Sequence, residues 1–297
     1  MNPTFKQCAV LATVAACSLA TRAADWSDTS IGYRTGSKYA EPFGSNDIHK
    51  NIINFTHVSG YKYGSNFFNV DLLMSDSKDP SSFGSTNGAH EVYVVYRHTL
   101  DMEKVSGSKF AMGPVRGWGL TAGFDYNTKT DVGYNSKKRM VVAGPTLFMD
   151  VPGFLNVSLL ALWESNQPSG KAFPPPTFAP VDYSVSRYSY DTHAMLNLAW
   201  GIPLGKDTGF SFEGFTNFIA KKGKDEFGGN TAAETNIDVQ IMYDMSSAVG
   251  AKPGSFKLGL EYQYWKNKFG NPTTAVGAGA GPGATAKTPM IRVEYHF

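Results

Sequence analysis

The last eight residues, Met290 to Phe297, restrict the chain more than any other stretch. Ile291, Val293, Tyr295 and Phe297 alternate with Arg292, Glu294 and His296. A β-strand sends successive side chains to opposite faces, so this segment has one apolar face and one charged face. A core strand of a soluble domain seldom gathers Arg, Glu and His on one side. A strand with lipid on one side and a polar lumen on the other requires that pattern. Taken alone, an edge strand of a soluble sheet fits as well, and the rest of the chain has to decide.

Eleven further stretches of about ten residues alternate in the same way, separated by Gly, Pro, Asn, Asp and Ser clusters. They run over 26–36, 51–60, 63–75, 90–99, 117–127, 138–149, 153–165, 189–201, 209–220, 234–245 and 255–266. In 234–245, the cleanest, Ile237, Val239, Ile241, Tyr243 and Met245 oppose Asn236, Asp238, Gln240 and Asp244. The total of twelve is even, as a single-chain bacterial barrel requires, and the length suits a tilted membrane crossing. An open sheet of that size would leave two exposed edges, which closure removes. The predicted fold class is therefore all-β, a transmembrane antiparallel up-and-down β-barrel of about 12 strands. With the N-terminus periplasmic, gaps after odd strands are long outer loops: 76–89, 166–188, 221–233 and 267–287. Most gaps after even strands are short, and 100–116 breaks the rule. Trp118, Trp200 and Phe297 then fall at periplasmic ends, and Tyr126, Trp163 and Tyr264 at outer ends, where membrane girdles need rings with a wet edge. Two loops, the Pro-rich 166–180 and the Gly/Ala/Thr-rich 271–288, read as mobile segments.

The apolar run Cys8 to Ala20, with Lys6 before it and small residues up to Ala23 after it, reads as a secretory signal peptide over 1–23. The barrel then occupies 24–297 and lies in the bacterial outer membrane. Val14-Ala15-Ala16-Cys17 also reads as a lipoprotein cleavage box, which would leave Cys17 lipidated. Cys8 and Cys17 are the only cysteines, so ordinary cleavage leaves no disulfide and no thiol chemistry. Removing 1–23 takes Lys6 and Arg22 from 27 basic residues and nothing from 25 acidic ones. The balanced charge offers no electrostatic case for nucleic acid. There is no G-x-S-x-G elbow and no H-E-x-x-H, and the six histidines have no metal spacing, so neither an enzyme nor a metal or other cofactor is expected. Asp79-Pro80 and Glu41-Pro42 read as turns.

The inward faces carry the chemistry. Asp71, Glu91, Tyr93, Arg97, Asp125, Glu213, Phe215, Asn217, Asp238, Trp265, Arg292 and Glu294 are the candidate pore-lining, substrate-binding residues, with Arg34, Arg139, Glu164, Asp191, His193, Gln240 and Glu261 beside them. A lumen mixing rings, amides and both charges suits small neutral solutes, whereas acidic sugars would call for tracks of Arg and Lys. The bland role for any one of these residues is a salt bridge bracing the wall.

Several segments resemble the nucleoside-specific channel-forming proteins of Gram-negative outer membranes, the Tsx-like channels. They are Leu100-Asp101-Met102-Glu103-Lys104, Phe110-Ala111-Met112-Gly113-Pro114 running into Trp118, Glu213 to Phe218, and the terminal Tyr295-His296-Phe297. Glu41-Pro42-Phe43-Gly44 is similar to the family's first loop, and the terminal Phe resembles the C-terminal signal of bacterial barrels. The resemblance implies a monomeric barrel in the lipid bilayer, a narrow pore with weak nucleoside sites, and the same excursion over 100–116. The alternative is a structural outer-membrane protein or adhesin, whose outer loops would meet phage or host surfaces.

Overall fold

The computed structural model describes residues 24–44, 47–79, 88–172, 176–177, 179–273 and 281–297. The expected signal peptide with Cys8 and Cys17, Pro80, and parts of the Pro-rich and Gly/Ala-rich loops lie outside the described residues.

Twelve strands form one antiparallel sheet: β1 (Trp26–Tyr39), β2 (Ile48–Tyr61), β3 (Gly64–Ser75), β4 (His90–Asp101), β5 (Val115–Thr130), β6 (Arg139–Met149), β7 (Phe154–Asn166), β11 (His193–Pro203), β12 (Phe210–Ile219), β13 (Glu234–Asp244), β14 (Phe256–Lys266) and β15 (Thr285–His296). Each pairs with its neighbours in sequence order, and β15 pairs back onto β1 with Glu294 opposite Gly32 and Arg292 opposite Arg34. The barrel is closed, so every strand edge is hydrogen-bonded, which is what a sheet in hydrocarbon needs. Three short strands belong to the long loop after β7. β8 (Ser169–Ala172) and β9 (Val181–Ser184) make a hairpin, and β10 (Tyr188–Ser189) extends the edge of β7.

Alternation along the strands sorts the two faces. Ile31, Val141, Leu159, Ile241, Leu260 and Ile291 point outward and are 50–69% exposed. Such a belt around a whole molecule is far beyond what a soluble surface carries, and it is the lipid-facing surface of a membrane barrel. Trp200 departs from its expected role as an interfacial anchor. It keeps the outward register, but its ring lies over Gly214 and packs on Phe212 at 5.4 Å, leaving it only 9% exposed. Gly214 creates the hollow, since a Cβ there would come within 3.0 Å of the Trp200 ring.

Several boundaries moved for identifiable reasons. β15 begins at Thr285, inside the segment read as a Gly/Ala/Thr-rich loop. Ala286 and Thr288 face inward and are fully buried; small side chains give no hydrophobic period for a reader to find. Between Gly36 and Tyr39 the register of β1 against β2 shifts, which turns Tyr39 inward so that its hydroxyl donates to Met290 Sδ at 2.7 Å. The 102–114 connection holds α1 (Met102–Ser106), capped by the Asp101 carboxylate, which accepts from the amides of Glu103 and Lys104.

Candidate functional site

All twelve candidate pore residues lie in the inward register, spread over β3, β4, β5, β12, β13, β14 and β15. The structure gathers nine of them into three groups. In the first, Arg34 Nη2 donates to Asp71 Oδ2 at 2.7 Å, and its Nε lies 3.6 Å from Glu261 Oε1. Arg292 bridges Glu261 at 3.0 Å and Glu294 at 2.5 Å. Gln263 Nε2 donates to Asp238 Oδ2 at 3.1 Å, attaching that carboxylate to the same wall. In the second group, Arg97 Nη1 meets Asp125 Oδ1 at 2.5 Å, and the Tyr93 hydroxyl donates to Asp125 Oδ2 at 3.0 Å. Gly123, opposite Arg97, leaves room for this guanidinium to lie flat along the wall; a Cβ there would sit 2.9 Å from Arg97 Cδ. Asn127 Nδ2 donates to Glu91 nearby. The third group is nearest the end that carries the chain termini, the periplasmic end in the expected orientation, where Glu213 Oε1 accepts from Ser211 at 2.6 Å and pairs with Lys257 at 3.2 Å.

The three candidate rings are not brought together. Trp265 donates Nε1–H to Glu234 Oε1 at 2.6 Å and packs edge-on against Phe269 at 4.9 Å. Phe215 sits between Ala199 and Asp238, and Tyr93 lies across the barrel on β4. No ring pair joins these three among the described residues. Asn217 is engaged by Asn197 Nδ2 at 2.7 Å. Two other residues expected in the lumen lie elsewhere. Arg139 pairs with Tyr126 and Ser165 and shares their outward face, because β6 places Met140 and Val142 inward instead. Asp191 precedes β11 and packs against Gly223 in the next outer loop, so no strand aims it at the lumen.

Sequence reasoning missed two features. The first is an apolar wall inside the barrel. Met140, Val142, Leu160, Leu162 and Met195 face inward from β6, β7 and β11 and pack as a core with Ile219. A smaller cluster, Tyr39, Ile48, Ile52 and Met290 with Leu73, fills the outer half of the opposite side. The parity that puts Ser158 and Glu164 inward also puts Leu160 and Leu162 there, so a count by position along β7 would have found them.

The second is a buried ionic lid at the mouth opposite the chain termini, the outer mouth in the expected orientation. Lys50 Nζ lies 2.5 Å from Glu41 and 3.0 Å from Asp79; Lys268 reaches Glu41 at 3.0 Å, and Lys129 reaches Asp79 at 2.8 Å. The turn read at Glu41-Pro42 is present, with the Gly44 amide bonded to the Glu41 carbonyl, and the Asp79 amide closes a turn onto Asp76; the carboxylates of Glu41 and Asp79 also tie three outer loops together. Burial alone would raise both carboxyls. For Glu41, Lys268 and Lys50 overcome it and hold the group well below the usual carboxylate range; for Asp79, Lys50 and Lys129 do the same more weakly. A parallel knot stands across the mouth: Glu164 takes Lys222 at 2.8 Å and Lys138 at 3.4 Å, and Lys222 lies 4.2 Å from the Tyr190 ring centroid. Among the described residues no group of His, Cys, Asp and Glu is placed to hold a metal ion.

No family model matches the chain, and no curated protein matches it in sequence. Solved structures do. The translocator domain of autotransporter NalP from Neisseria meningitidis is similar at 10% identity and a TM-score of 0.42, over 99% of this chain and 96% of that one. The KdgM porin is similar at 10% identity and 0.39, over 90% and 99%, and the NanC porin at 12% and 0.39, over 91% and 99%. By its own closure, strand count and outward apolar belt, the chain is a twelve-stranded antiparallel β-barrel of the bacterial outer membrane.

Proposed function

We propose that the protein is an outer-membrane channel for passive uptake of small solutes, and that nucleosides are the solutes its lumen suits best. The observation that carries this reading is the chemistry of the inner wall. Arg34, Asp71, Arg97 and Arg292 are paired, yet their side chains keep 12–18% of their surface open. A wall that only had to be filled would be served at less cost by apolar side chains, as β6, β7 and β11 demonstrate within the same barrel. Ion pairs that still touch water can exchange a partner for a passing hydroxyl or amide. A twelve-stranded barrel is wider than the eight-stranded kind that side chains fill and narrower than the porins of 16–18 strands, so transport would be slow and selective by contact.

A nucleoside offers a flat base for a ring and ribose hydroxyls for carboxylates and amides. Phe215, Tyr93 and Trp265 supply rings, and Asp71, Glu91, Glu213, Asn217 and Arg97 supply polar partners; the resemblance to nucleoside-specific channels points the same way. Asp125, Asp238, Arg292 and Glu294 complete the path. A channel must release what it binds, so affinities fall between micromolar and millimolar, roughly −8 to −4 kcal/mol.

One observation favours a second reading, a structural barrel or adhesin acting through its loops: the outer half of the lumen is occupied by the two apolar clusters and the ionic lid. Reconstitution in planar bilayers separates the two. Single-channel current that is blocked in a concentration-dependent way by adenosine and thymidine but not by glucose supports the nucleoside channel. Phe215→Ala and Glu213→Gln should each weaken block about fivefold, the equivalent of about 1 kcal/mol for a lost stacking contact or polar contact. Equal block by all three solutes reduces the protein to a general pore, and absent conductance with loop-dependent cell adhesion supports the structural reading.

A further inference from the structure

Of the six arginines in residues 24–297, three face the lumen and each has a carboxylate: Arg34 with Asp71, Arg97 with Asp125, Arg292 with Glu261 and Glu294. Arg116 lies near the Phe148 ring, 5.7 Å from its centroid. The remaining two, Arg139 and Arg187, are treated differently. They stand together on the outside of the barrel at its outer rim, and among the described residues neither has a carboxylate within ion-pairing distance. Arg187 Nη1 donates to Ser165 Oγ at 3.0 Å, and its Nη2 donates to the carbonyl of Lys137 at 3.1 Å. Ser165 is the residue paired with Arg139 across β6 and β7, so the two side chains share one row of the wall. The exposed Lys137 adds a third positive charge two residues before Arg139.

Directly below this row the lipid-facing surface is indented. Phe124, Tyr126, Val141 and Trp163 border a groove of about 410 Å³, with Arg139 and Ser165 at its upper edge. Val141 is paired with Phe124 on one side and Trp163 on the other, so a small side chain forms the floor between large rings. All four apolar residues are 42–53% exposed. The groove is continuous with the belt that meets the acyl chains, and the cations lie where headgroups begin. Burial and the neighbouring Arg139 both lower the affinity of Arg187 for its proton.

We propose that this rim is a binding site for a phosphorylated lipid of the outer leaflet, its phosphate held between Arg139 and Arg187 and one acyl chain lying in the groove beside Trp163. Guanidinium forks match phosphate oxygens two at a time, which a zwitterionic or unphosphorylated headgroup cannot use as well. The groove alone would accept any acyl chain; the unneutralised pair above it selects the anionic headgroup. The site is independent of the lumen and stands whether or not the barrel conducts.

The test is native mass spectrometry of the detergent-solubilised barrel, titrated with diphosphorylated lipid A, with the dephosphorylated form of the same lipid, and with inorganic phosphate. The expected result is one tightly retained diphosphorylated lipid, at least tenfold weaker retention of the dephosphorylated form, and no retained free phosphate. The double variant Arg139→Gln/Arg187→Gln should lose at least tenfold for the phosphorylated lipid only, while Trp163→Ala should weaken both lipids alike. Heat-modifiable gel mobility confirms that each variant still forms the barrel. Equal retention of both lipids by the parent barrel, or a double variant that binds the phosphorylated lipid as the parent does, overturns the proposal. Retention of phosphate alone would make the site one for a free anion and would overturn it too.

Discussion

Two charged networks stand at opposite ends of the lumen, and they differ chiefly in how much water reaches them. At the outer mouth the side chains of Lys50 and Asp79 are 2% and 1% exposed, and Lys268 is 5%. Near the periplasmic end Lys257 and Glu213 are 23% and 21% exposed, and Asp28, 2.8 Å from His296, is 47% exposed. The bond lengths are comparable; the surroundings are not. A dry network cannot lose one member without stranding another charge, which ordinarily costs 3–5 kcal/mol, whereas a wet pair is typically worth about 0–1 kcal/mol because water replaces the lost partner. Similar chemistry therefore acts as a lock at one end and as an exchangeable lining at the other.

The largest effect should come from cutting the lock. Lys50→Met leaves Glu41 and Asp79 facing each other with only Lys268 and Lys129 to compensate, and the barrel should lose about 3–5 kcal/mol against urea in a lipid-mimetic micelle. The same substitution should raise the frequency of open events in a planar bilayer, because the loop carrying Glu41 loses its ion pair to the β2 wall, while Asp79 keeps only Lys129 on β5. A loss under 1 kcal/mol with unchanged gating would mean that the mouth is wetter than its burial indicates and that the two ends are alike.

Acid should act on the same end, less completely. Both Glu41 and Asp79 have depressed pKa values, from ordinary values of 4.5 and 3.8. A depressed carboxyl contributes stability that is fully present above its unfolded pKa and is lost as pH falls through the folded one. The lid should therefore hold without change from pH 8 to about pH 5 and loosen only below about pH 4. Protease susceptibility of the outer loops, followed from pH 7 to pH 3, measures it directly. Loosening that begins near pH 6 would point to a histidine rather than to these carboxyls.

How much of this was legible in the sequence follows from the same physics. Strand count, order and antiparallel pairing were legible because alternation with period two survives wherever one face meets lipid, as Ile237 to Tyr243 makes plain. The inward register of Asp71, Arg97 and Arg292 followed from it. The lid was not legible, because Glu41 and Asp79 sit in turns, where no periodicity links a residue to a face, and Lys268 joins them from more than two hundred residues away. The apolar inner wall was hidden for another reason. Leu160 and Leu162 face inward while Leu159 and Trp163 face lipid, so β7 is apolar on both faces over that span and the alternation that identifies a lumen disappears. Arg139 was misplaced by assuming that any charge on a membrane strand must face the lumen, an assumption that fails at a strand's headgroup end.

The smallest effect on stability should come from the periplasmic pair, and it makes the sharpest test of what the difference between the ends means. Lys257→Ala removes the ammonium that Glu213 meets at 3.2 Å, but Glu213 keeps Ser211 at 2.6 Å and Gln240 at 3.3 Å as donors. With one-fifth of both side chains open to solvent, the cost should stay under about 1 kcal/mol. Conductance is where the change should appear. Freeing Glu213 adds an uncompensated negative charge to the narrow lumen, which raises local cation concentration and should shift the reversal potential in a salt gradient toward cation selectivity. Raising the salt should shrink the shift, as screening demands. A large stability loss with no change in selectivity would make this pair a brace like those at the mouth, and the contrast between a locked end and an exchangeable end would fail.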